Sequence, residues 1–277
     1  MARPLLTYTD VRGLLQLHGL APRKRFGQTF VVDPNTVRKV ARDAGVSAGE
    51  LVCEVGPGLG SLTLALREAG AEVVAVEVDA GFVRALTALV RDDKGVRIVH
   101  GDALEVDFAA LFDGRPAAFI SNLPYHAATP VVLRALACGA FTRLFIMVQR
   151  EVGQRWVADV GDPLYGAVSV KIRAQAHARI CAAVSRTAFY PVPNVDSVTV
   201  RMQPRPWTFA VDRKRLFALV QGGFAQRRKR LRNALATAGR PPAMVESALA
   251  SAGLAPTARA EELDFDAWCA FAQALDG

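Results

Sequence analysis

The sequence predicts an α/β protein in which a doubly wound, mostly parallel sheet precedes a smaller helical domain. Between residues 51 and 160, apolar runs typical of buried strands alternate with segments whose apolar residues recur at helical spacing. That alternation is the pattern of parallel strands joined by crossover helices. The first of these strands runs through a glycine-rich turn into a helix, as nucleotide-binding sheets begin. After residue 204 only helical periodicity remains, so we expect one domain over residues 1–204 and a second over 205–277.

The chain ahead of this sheet contains two predicted helices and a basic loop. Residues 5–19 have an amphipathic helical pattern, and residues 23–30 combine basic with aromatic side chains. Asp33 can accept hydrogen bonds from the free N–H groups of a following helix, and Pro34 fits its first position. This second helix is expected to end at Gly45.

Within the sheet, the apolar runs that follow the first strand predict its order along the chain. We assign strands to LVCEV, EVVAVEV, VRIVHGDAL, AAFISNL and LFIMVQ, with helices between them. Residues 177–203 contain two further strand-like runs and no helical pattern between them. We therefore expect a hairpin to close the far edge of the sheet.

Composition and charge exclude several classes of protein. With 51% hydrophobic residues the chain is globular, and no apolar run approaches the 18 residues of a membrane span. Arg3, Asp10 and Arg12 interrupt the first twenty residues, so these form no apolar signal segment. The four cysteines and four histidines are dispersed, without disulfide or metal spacing. We expect a cytoplasmic protein with reduced thiols and no metal.

The net charge of +8 indicates an anionic partner. The excess is concentrated in residues 1–25 and in the run Gln226–Arg232, which contains five basic residues and no acid. We expect this run to lie on one helix of the second domain. The run contains no acid, so ion pairs between its own residues do not explain the clustered charge. Two interpretations are open: the basic residues contact phosphates, or they form a solvated helix face. The RNA-binding candidates are Arg227, Arg228, Lys229 and Arg232.

A nucleoside site is predicted where the first strand ends. Gly56, Gly58 and Gly60 form a G-x-G-x-G turn, and Glu77 ends the next strand, 21 residues after Gly56. Glycines let a backbone approach a ligand closely, and a carboxylate in this position can accept hydrogen bonds from both ribose hydroxyls. The spacing differs from the G-x-G-x-x-G of dinucleotide sites, which favours a nucleoside without a pyrophosphate, such as S-adenosylmethionine. The alternative is a tight turn with no ligand.

Two further strand ends carry candidate polar groups. Asp102 follows the third strand and could accept a hydrogen bond from an adenine amino group, or could cap the next segment. Asn122-Leu123-Pro124-Tyr125 follows the fourth strand. The Asn122 side-chain oxygen and the Leu123 carbonyl can both accept the N–H hydrogens of an exocyclic amine, which points the amine lone pair at an electrophilic methyl group.

Three other residues complete this candidate for base chemistry. Pro124 favours an extended conformation at the residue before it and so holds that carbonyl outward. Tyr125 offers a face on which a base can stack. Phe189, on a proline-rich loop between the last two strands, could cover the other face of a flipped base or could pack on the core.

These motifs together resemble the S-adenosylmethionine-dependent rRNA adenine N6-dimethyltransferases, and most closely the KsgA type. The segments that carry the resemblance span nearly the whole chain: residues 24–30, Glu54–Gly60, Glu77–Asp79, Gly101–Ala103, Asn122–Tyr125, Phe189–Ser197 and Phe224–Lys229.

The resemblance implies a Rossmann-like methyltransferase domain over 1–204 and a helical RNA-binding domain over 205–277. The implied reaction is dimethylation of N6 on two adjacent adenosines near the 3′ end of small-subunit (16S) rRNA, by a monomer acting on the immature subunit. Base chemistry is then assigned to Asn122, Leu123, Pro124, Tyr125 and Phe189. Cofactor contacts are assigned to Gln28, Phe30, Glu54, Gly56, Gly58, Gly60, Glu77, Val78, Asp102, Ala103 and Asn122.

Two positions depart from the family pattern. Thr29 replaces the usual asparagine, which leaves one cofactor contact in question, and His126 stands where asparagine is common after the tyrosine. An erythromycin-resistance (Erm) type enzyme acting on large-subunit rRNA would share the catalytic motifs. A non-catalytic rRNA- or DNA-binding factor would not need Asn122 or Glu77. A nicotinamide dehydrogenase does not fit the glycine spacing.

Overall fold

The computed structural model describes residues 3–22 and 28–276, apart from the side chains of Tyr125, His126 and Asp276. The helices are α1 Tyr8–Leu17, α2 Pro34–Ala44, α3 Ser61–Glu68, α4 Ala80–Leu89, α5 Tyr125–Cys138, α6 Arg150–Val157, α7 Ala167–Arg173, α8 Arg213–Phe224, α9 Leu231–Thr237, α10 Pro242–Ser251 and α11 Phe265–Asp276. The strands are β1 Phe30–Val31, β2 Leu51–Val55, β3 Glu72–Glu77, β4 Val96–His100, β5 Ala117–Asn122, β6 Phe141–Gln149, β7 Ala176–Val184, β8 Phe189–Tyr190 and β9 Ser197–Pro204.

A seven-stranded sheet in the order β4-β3-β2-β5-β6-β9-β7 confirms the predicted α/β class. The pairs β2·β3, β3·β4, β2·β5 and β5·β6 are parallel, and β6·β9 is antiparallel. The chain leaves β2 toward one edge and returns at β5 toward the other, so the winding reverses between these two strands. Ligands of doubly wound sheets bind at such a switch point, outside the carboxyl ends of the strands. The two strands of the expected hairpin, β7 and β9, are neighbours at the far edge of the sheet, with β8 between them in the chain.

Strand β2, inside this sheet, is buried along its whole length. Every residue of β2 is buried, as expected for a parallel strand covered on both faces by helices. The β2·β5 ladder joins Val52 to Ala118 and Cys53 to Phe119. Beyond it, the Val55 N–H donates to the buried Ser121 hydroxyl at 2.8 Å. A side chain thus replaces a backbone acceptor where the two strands separate at the switch point.

Local signals located the helix ahead of the sheet accurately. Both Asp33 carboxylate oxygens accept backbone N–H groups of the first turn of α2, and Pro34 is its first residue. Gly45 ends the helix in the left-handed conformation, with φ of +72°.

The described residues fall into two compact units, residues up to 153 with 179–204, and 154–178 with 205–276. The expected boundaries placed 154–178 with the sheet. In the structure, Val170 belongs to the core formed by the C-terminal helices, and the Tyr165 hydroxyl donates to the Leu263 carbonyl at 2.7 Å. Helical periodicity shows that a segment is helical but does not reveal which core it joins. The separate roles assigned to the two domains stay predictions.

The expectation that the basic run lies on one helix is wrong. Helix α8 ends at Phe224 and α9 begins at Leu231, so residues 225–230 connect them. Arg230 pairs with Arg259 as an isolated β-bridge, and the Leu231 N–H donates to the Ala258 carbonyl at 2.8 Å. The end of this connection therefore pairs with another loop of the same unit, while the Lys229 N–H donates within the connection to the Gln226 carbonyl at 2.8 Å.

In the described part of the chain, no helix combines the length and the apolar character needed to cross a bilayer.

Candidate functional site

A cavity of about 520 Å³ lies at the carboxyl ends of β2, β3, β4 and β5. It brings together most of the residues that the sequence singled out, although they are far apart in the chain. Those that line it are Gln28, Phe30, Glu54, Gly56, Gly58, Glu77, Val78, Asp102, Ala103, Asn122, Leu123 and Pro124. Gly60 and Phe189 are not among the lining residues, and the side chain of Tyr125 lies outside the described part of the chain.

The glycine turn forms one wall of the cavity. Gly56, Gly58 and Gly60 all have positive φ, a conformation that side chains rarely adopt. A Cβ on Gly58 would approach the Phe30 ring to 2.9 Å, so the turn and the Phe30 ring are in close contact. Gly60 has a different role, because its Cβ would meet the Leu86 side chain at 2.7 Å. It permits close packing of α3 against α4 and does not face the cavity.

Glu77 lies on the cavity wall, where backbone N–H groups bind its carboxylate. It is only 6% exposed. Its Oε2 accepts the Gly58 N–H at 3.1 Å, and its Oε1 accepts the Asp79 N–H at 2.9 Å. Burial raises the pKa of Glu77, and these N–H donors oppose the rise by stabilising the charged form. Each oxygen keeps further acceptor capacity, so the carboxylate can take two hydroxyl donors from a ligand.

A second buried carboxyl group belongs to Glu54, which lies in β2 just before the glycine turn. It is 1% exposed and accepts a hydrogen bond from the Thr63 hydroxyl at 2.6 Å. Burial raises the pKa of Glu54 to about 8, and the neighbouring Glu77 charge adds to the rise. Near neutral pH this carboxyl group is therefore largely protonated in the ligand-free protein. When ionised, it gives the cavity an anionic group that suits a cationic ligand.

This pKa predicts how the stability of the ligand-free protein depends on pH. A carboxyl group that titrates near pH 8 when folded, against an ordinary pKa of 4.5, resists ionisation in the fold. The free energy of unfolding therefore decreases as the pH rises from 4.5 through 8, by up to about 4 kcal/mol from this group. In thermal unfolding between pH 5 and 9, Glu54→Gln should lose less stability with rising pH than the parent protein.

Glu50→Gln is the matched control, because Arg143 holds the pKa of Glu50 below its usual range. Removing Glu50 should leave the slope between pH 5 and 9 as in the parent. If Glu54→Gln declines as steeply as the parent, Glu54 is ionised in the fold and the prediction fails.

Asp102 performs the capping role that the sequence allowed. It is exposed at the cavity mouth, and its Oδ1 accepts the Leu104 N–H at 2.8 Å. Its Oδ2 accepts no hydrogen bond from the described residues. One oxygen therefore holds the loop and the other is available to an amino group of a ligand, so the two roles are compatible.

The segment Asn122-Leu123-Pro124 connects the end of β5 to the start of α5, beside the glycine turn. Asn122 pairs with Met147 in the sheet, and the Leu123 N–H donates to the Met147 carbonyl at 3.1 Å. The Leu123 side chain is fully buried, which anchors the segment. A Cβ on Gly56 would lie 3.6 Å from the Pro124 ring, so the two loops are adjacent. Within the described residues, no donor occupies the Leu123 carbonyl.

Phe189 does not face this cavity in the structure. It pairs with Val31 in the short β1·β8 ribbon, is 2% exposed and belongs to the core of the sheet unit. Successive side chains of β8 point to opposite faces of the ribbon, and Phe189 is buried while Tyr190 is half-buried. Stacking of Phe189 on a base therefore stays a prediction, and it would require this side chain to leave the core.

The basic run divides into paired and unpaired side chains. Arg227 contacts Glu261 at 2.6 Å and donates to the Pro163 carbonyl at 2.8 Å. Arg232 contacts Glu246 at 2.5 Å. Acids distant in sequence thus neutralise two of the predicted RNA-binding residues. The exposed Arg228, Lys229 and Arg230 make no ion pair with the described part of the chain.

Sequence reasoning missed several residues of the cavity. Ser61 follows the glycine turn directly, and its buried hydroxyl has no hydrogen-bond partner among the described residues. Its place immediately after the turn is a signal that could have identified it. Phe82 and Val131 form apolar wall from α4 and α5. Their spacing is that of ordinary core residues, so no sequence signal distinguishes them.

The polar groups of the cavity suit a nucleoside that carries a cationic group. The cavity offers a buried acceptor pair at Glu77, a second carboxyl group at Glu54, a Ser61 hydroxyl with no partner among the described residues, and a turn with glycine at positions 56 and 58. Among the described residues, no group of three or more His, Cys, Asp and Glu side chains is arranged to hold a metal ion.

Comparison with known proteins places this geometry in context. A family model described as ribosomal RNA adenine dimethylase matches residues 19–276. A protein of Leifsonia xyli subsp. xyli, ribosomal RNA small subunit methyltransferase A, is 47% identical over 94% of both chains. Its counterpart in Thermobifida fusca is 46% identical over 94% of this chain and 92% of its own.

Solved structures share the fold. The 23S rRNA methyltransferase ErmE superposes with a TM-score of 0.65 at 24% identity, over 90% of this chain and all of its own. A dimethyladenosine transferase of Plasmodium falciparum gives a TM-score of 0.69 at 20% identity, over 86% of this chain and 94% of its own. At these identities the likeness concerns the fold alone.

Proposed function

Because the chain belongs to the ribosomal RNA adenine dimethylase family, we propose that it dimethylates N6 of two adjacent adenosines near the 3′ end of small-subunit rRNA, with S-adenosylmethionine as methyl donor. The observation that carries this proposal is the position of Asn122-Leu123-Pro124 in the same cavity as Glu77 and the glycine turn. Relatives named as small-subunit methyltransferases support the choice of substrate over an Erm-type alternative. We further propose that the enzyme acts as a monomer, in the cytoplasm, on the immature subunit.

In this proposal the residues of the cavity divide between two tasks. Glu77 accepts the ribose hydroxyls, Asp102 accepts from the adenine amino group, and Glu54 in its ionised form offsets positive charge on the donor. S-adenosylmethionine supplies an electrophilic methyl group on a sulfonium sulfur. Asn122 and the Leu123 carbonyl accept the N6 hydrogens of the target adenine and direct its lone pair toward that methyl group. Methyl transfer makes the nitrogen cationic, and its proton can then leave to water, so attack requires no general base.

One experiment separates this function from its alternatives. The protein is incubated with labelled donor and either immature small subunits or free large-subunit rRNA, and the modified base is mapped. Two adjacent dimethylated adenosines near the 3′ end of the small-subunit rRNA are the expected result. Label confined to the large-subunit rRNA would indicate an Erm-type enzyme. Binding without transfer to either RNA would indicate a non-catalytic factor.

The exposed basic residues of the second unit should contribute phosphate contacts. We expect Arg228→Gln, Lys229→Gln and Arg230→Gln together to weaken binding to the small subunit and to flatten its salt dependence. Each lost phosphate contact lowers the slope of log affinity against log salt by about 0.7–0.9. Donor affinity should be unchanged, because none of the three residues lines the cavity. A salt titration of binding by both proteins measures the slopes.

The matched control replaces Arg227 and Arg232 with glutamine, since Glu261 and Glu246 already neutralise these two side chains. The control should lower the slope less than the triple variant does. Equal slopes for the parent and the triple variant would show that the three residues are a solvated surface.

A further inference from the structure

An exposed aromatic and basic patch lies on the sheet unit outside the cavity. We define it as Tyr8, Arg12 and Tyr190. Tyr8 is 47% exposed, and its ring meets the Tyr190 ring edge-to-face at a centroid distance of 5.3 Å. The Arg12 guanidinium lies 5.7 Å from the centre of the Tyr8 ring. Tyr8 and Arg12 are four positions apart on α1 and therefore share one face of that helix.

Strand pairing connects the patch to the cavity wall. Tyr190 pairs with Phe30 in the antiparallel β1·β8 ribbon, and directly opposed residues in such a ribbon place their side chains on the same face. The Phe30 ring lines the cavity and contacts the glycine turn. Tyr190 therefore stands between the exposed ring of Tyr8, which it contacts, and Phe30 of the cavity wall, with which it pairs through the backbone.

The helix that carries Tyr8 is held firmly. Val11 and Leu15 bury their side chains in the core of the sheet unit. Thr7 and Asp10 form a reciprocal capping box, in which Asp10 Oδ2 accepts both the backbone N–H and the hydroxyl of Thr7. The exposed Tyr8 ring is therefore carried by an anchored helix. Ligand binding then costs little additional conformational entropy in the backbone.

The charge of the patch favours a polyanion. Arg12 is exposed and makes no ion pair within the described part of the chain, while the one acid on its helix, Asp10, is engaged by the cap. An aromatic face beside an unpaired arginine is the combination that binds single-stranded nucleic acid, because bases stack on the ring and the guanidinium contacts phosphate.

We propose that the patch binds single-stranded RNA adjacent to the adenosine that enters the cavity. A neighbouring base stacks on Tyr8, and Arg12 contacts the adjoining phosphate. This inference rests on the proposed function, since it concerns the same RNA substrate. It assigns part of the RNA recognition to the sheet unit, in addition to the basic residues of the second unit.

Tyr8→Ala tests the patch directly. In methyl transfer to immature small subunits, kcat/KM for the RNA should fall about tenfold, mainly through KM, as expected for one lost stacking contact. Tyr8→Phe keeps the ring and should stay within about twofold of the parent. Leu17→Ala is the matched control, because Leu17 is 76% exposed on the same helix. It lies nine positions from Tyr8, about half a turn around the helix, and should leave kcat/KM unchanged.

Two further measurements keep the test decisive. Donor affinity by calorimetry and the thermal midpoint of Tyr8→Ala should match those of the parent, which separates lost RNA contact from lost structure. Should Tyr8→Ala prove unstable, Arg12→Gln replaces it. That variant should weaken RNA binding and lower its salt slope by about one phosphate contact, 0.7–0.9.

Equal kcat/KM for Tyr8→Ala and Leu17→Ala in an active enzyme would overturn the patch alone. If the parent protein transfers no methyl group to either rRNA, the proposed function itself fails. A photoreactive phenylalanine at position 8 completes the test. Its crosslink to rRNA near the modified adenosines is expected, and a crosslink only to a ribosomal protein would overturn the inference.

Discussion

Replacing Asn122 with alanine should reduce methyl transfer by at least ~100-fold while donor affinity changes no more than a few-fold. In the proposed reaction the amide oxygen accepts an N6 hydrogen, and this bond strengthens as the nitrogen becomes cationic in the transition state. Pairing with Met147 and the buried Leu123 side chain hold the Asn122 backbone in place. Truncation should therefore remove the acceptor without displacing the loop. Single-turnover transfer with saturating RNA and donor measures the chemical step separately from binding.

Asn35→Ala is the matched control, because Asn35 is an exposed asparagine of the same unit in the first turn of α2. It should transfer methyl groups at the parent rate. Asn122→Asp adds a second comparison, since a carboxylate still accepts hydrogen bonds but places a full charge beside a neutral base. Normal turnover by Asn122→Ala would show that the amide has only a structural role.

Replacing Glu77 with alanine should weaken S-adenosylmethionine binding by an order of magnitude or more. If Glu77 has the proposed role, the substitution leaves two ribose hydroxyls without a charged acceptor inside a buried site. It also releases the Gly58 and Asp79 N–H groups that the carboxylate holds, so the glycine turn loses a contact at the same time. Both effects act in the same direction on donor affinity, which calorimetry measures.

Glu72→Ala serves as the control, because Glu72 is the exposed acid at the start of the same strand and pairs with Arg115 on the surface. Donor affinity should be unchanged in that variant. Glu77→Asp keeps the charge one methylene further back and should give an intermediate affinity. Unchanged affinity in a folded Glu77→Ala protein would exclude the ribose role.

The hydrogen bond between the Gly58 N–H and the Glu77 carboxylate is a feature of the site that the sequence does not predict. Both residues were identified from spacing alone, because a glycine turn and a strand-end carboxylate are local patterns. Their direct hydrogen bond was not predictable, since it depends on how the β2–α3 turn lies against the end of β3. The same holds for Glu54, whose raised pKa follows from complete burial and not from its neighbours in the chain.

Local patterns were sufficient to predict several helices and strands and to select the candidate site residues. Asp33, Pro34 and Gly45 defined a helix because capping depends on nearby backbone groups. The glycine turn, Asp102 and Asn122 could be placed together because the carboxyl ends of parallel strands meet at one edge of a sheet.

Local patterns did not predict which distant segments pair. Phe189 lies in the core because β8 pairs with β1. Residues 154–178 belong to the helical unit. Most of the basic run lies between two helices, where the Leu231 N–H donates to the Ala258 carbonyl. Glu261 and Glu246 then neutralised Arg227 and Arg232. Helix caps and turns are stabilised within a few residues, whereas strand pairing, core packing and these ion pairs join residues far apart in the chain. Their partners are set by the packing of the whole unit, which no local pattern records.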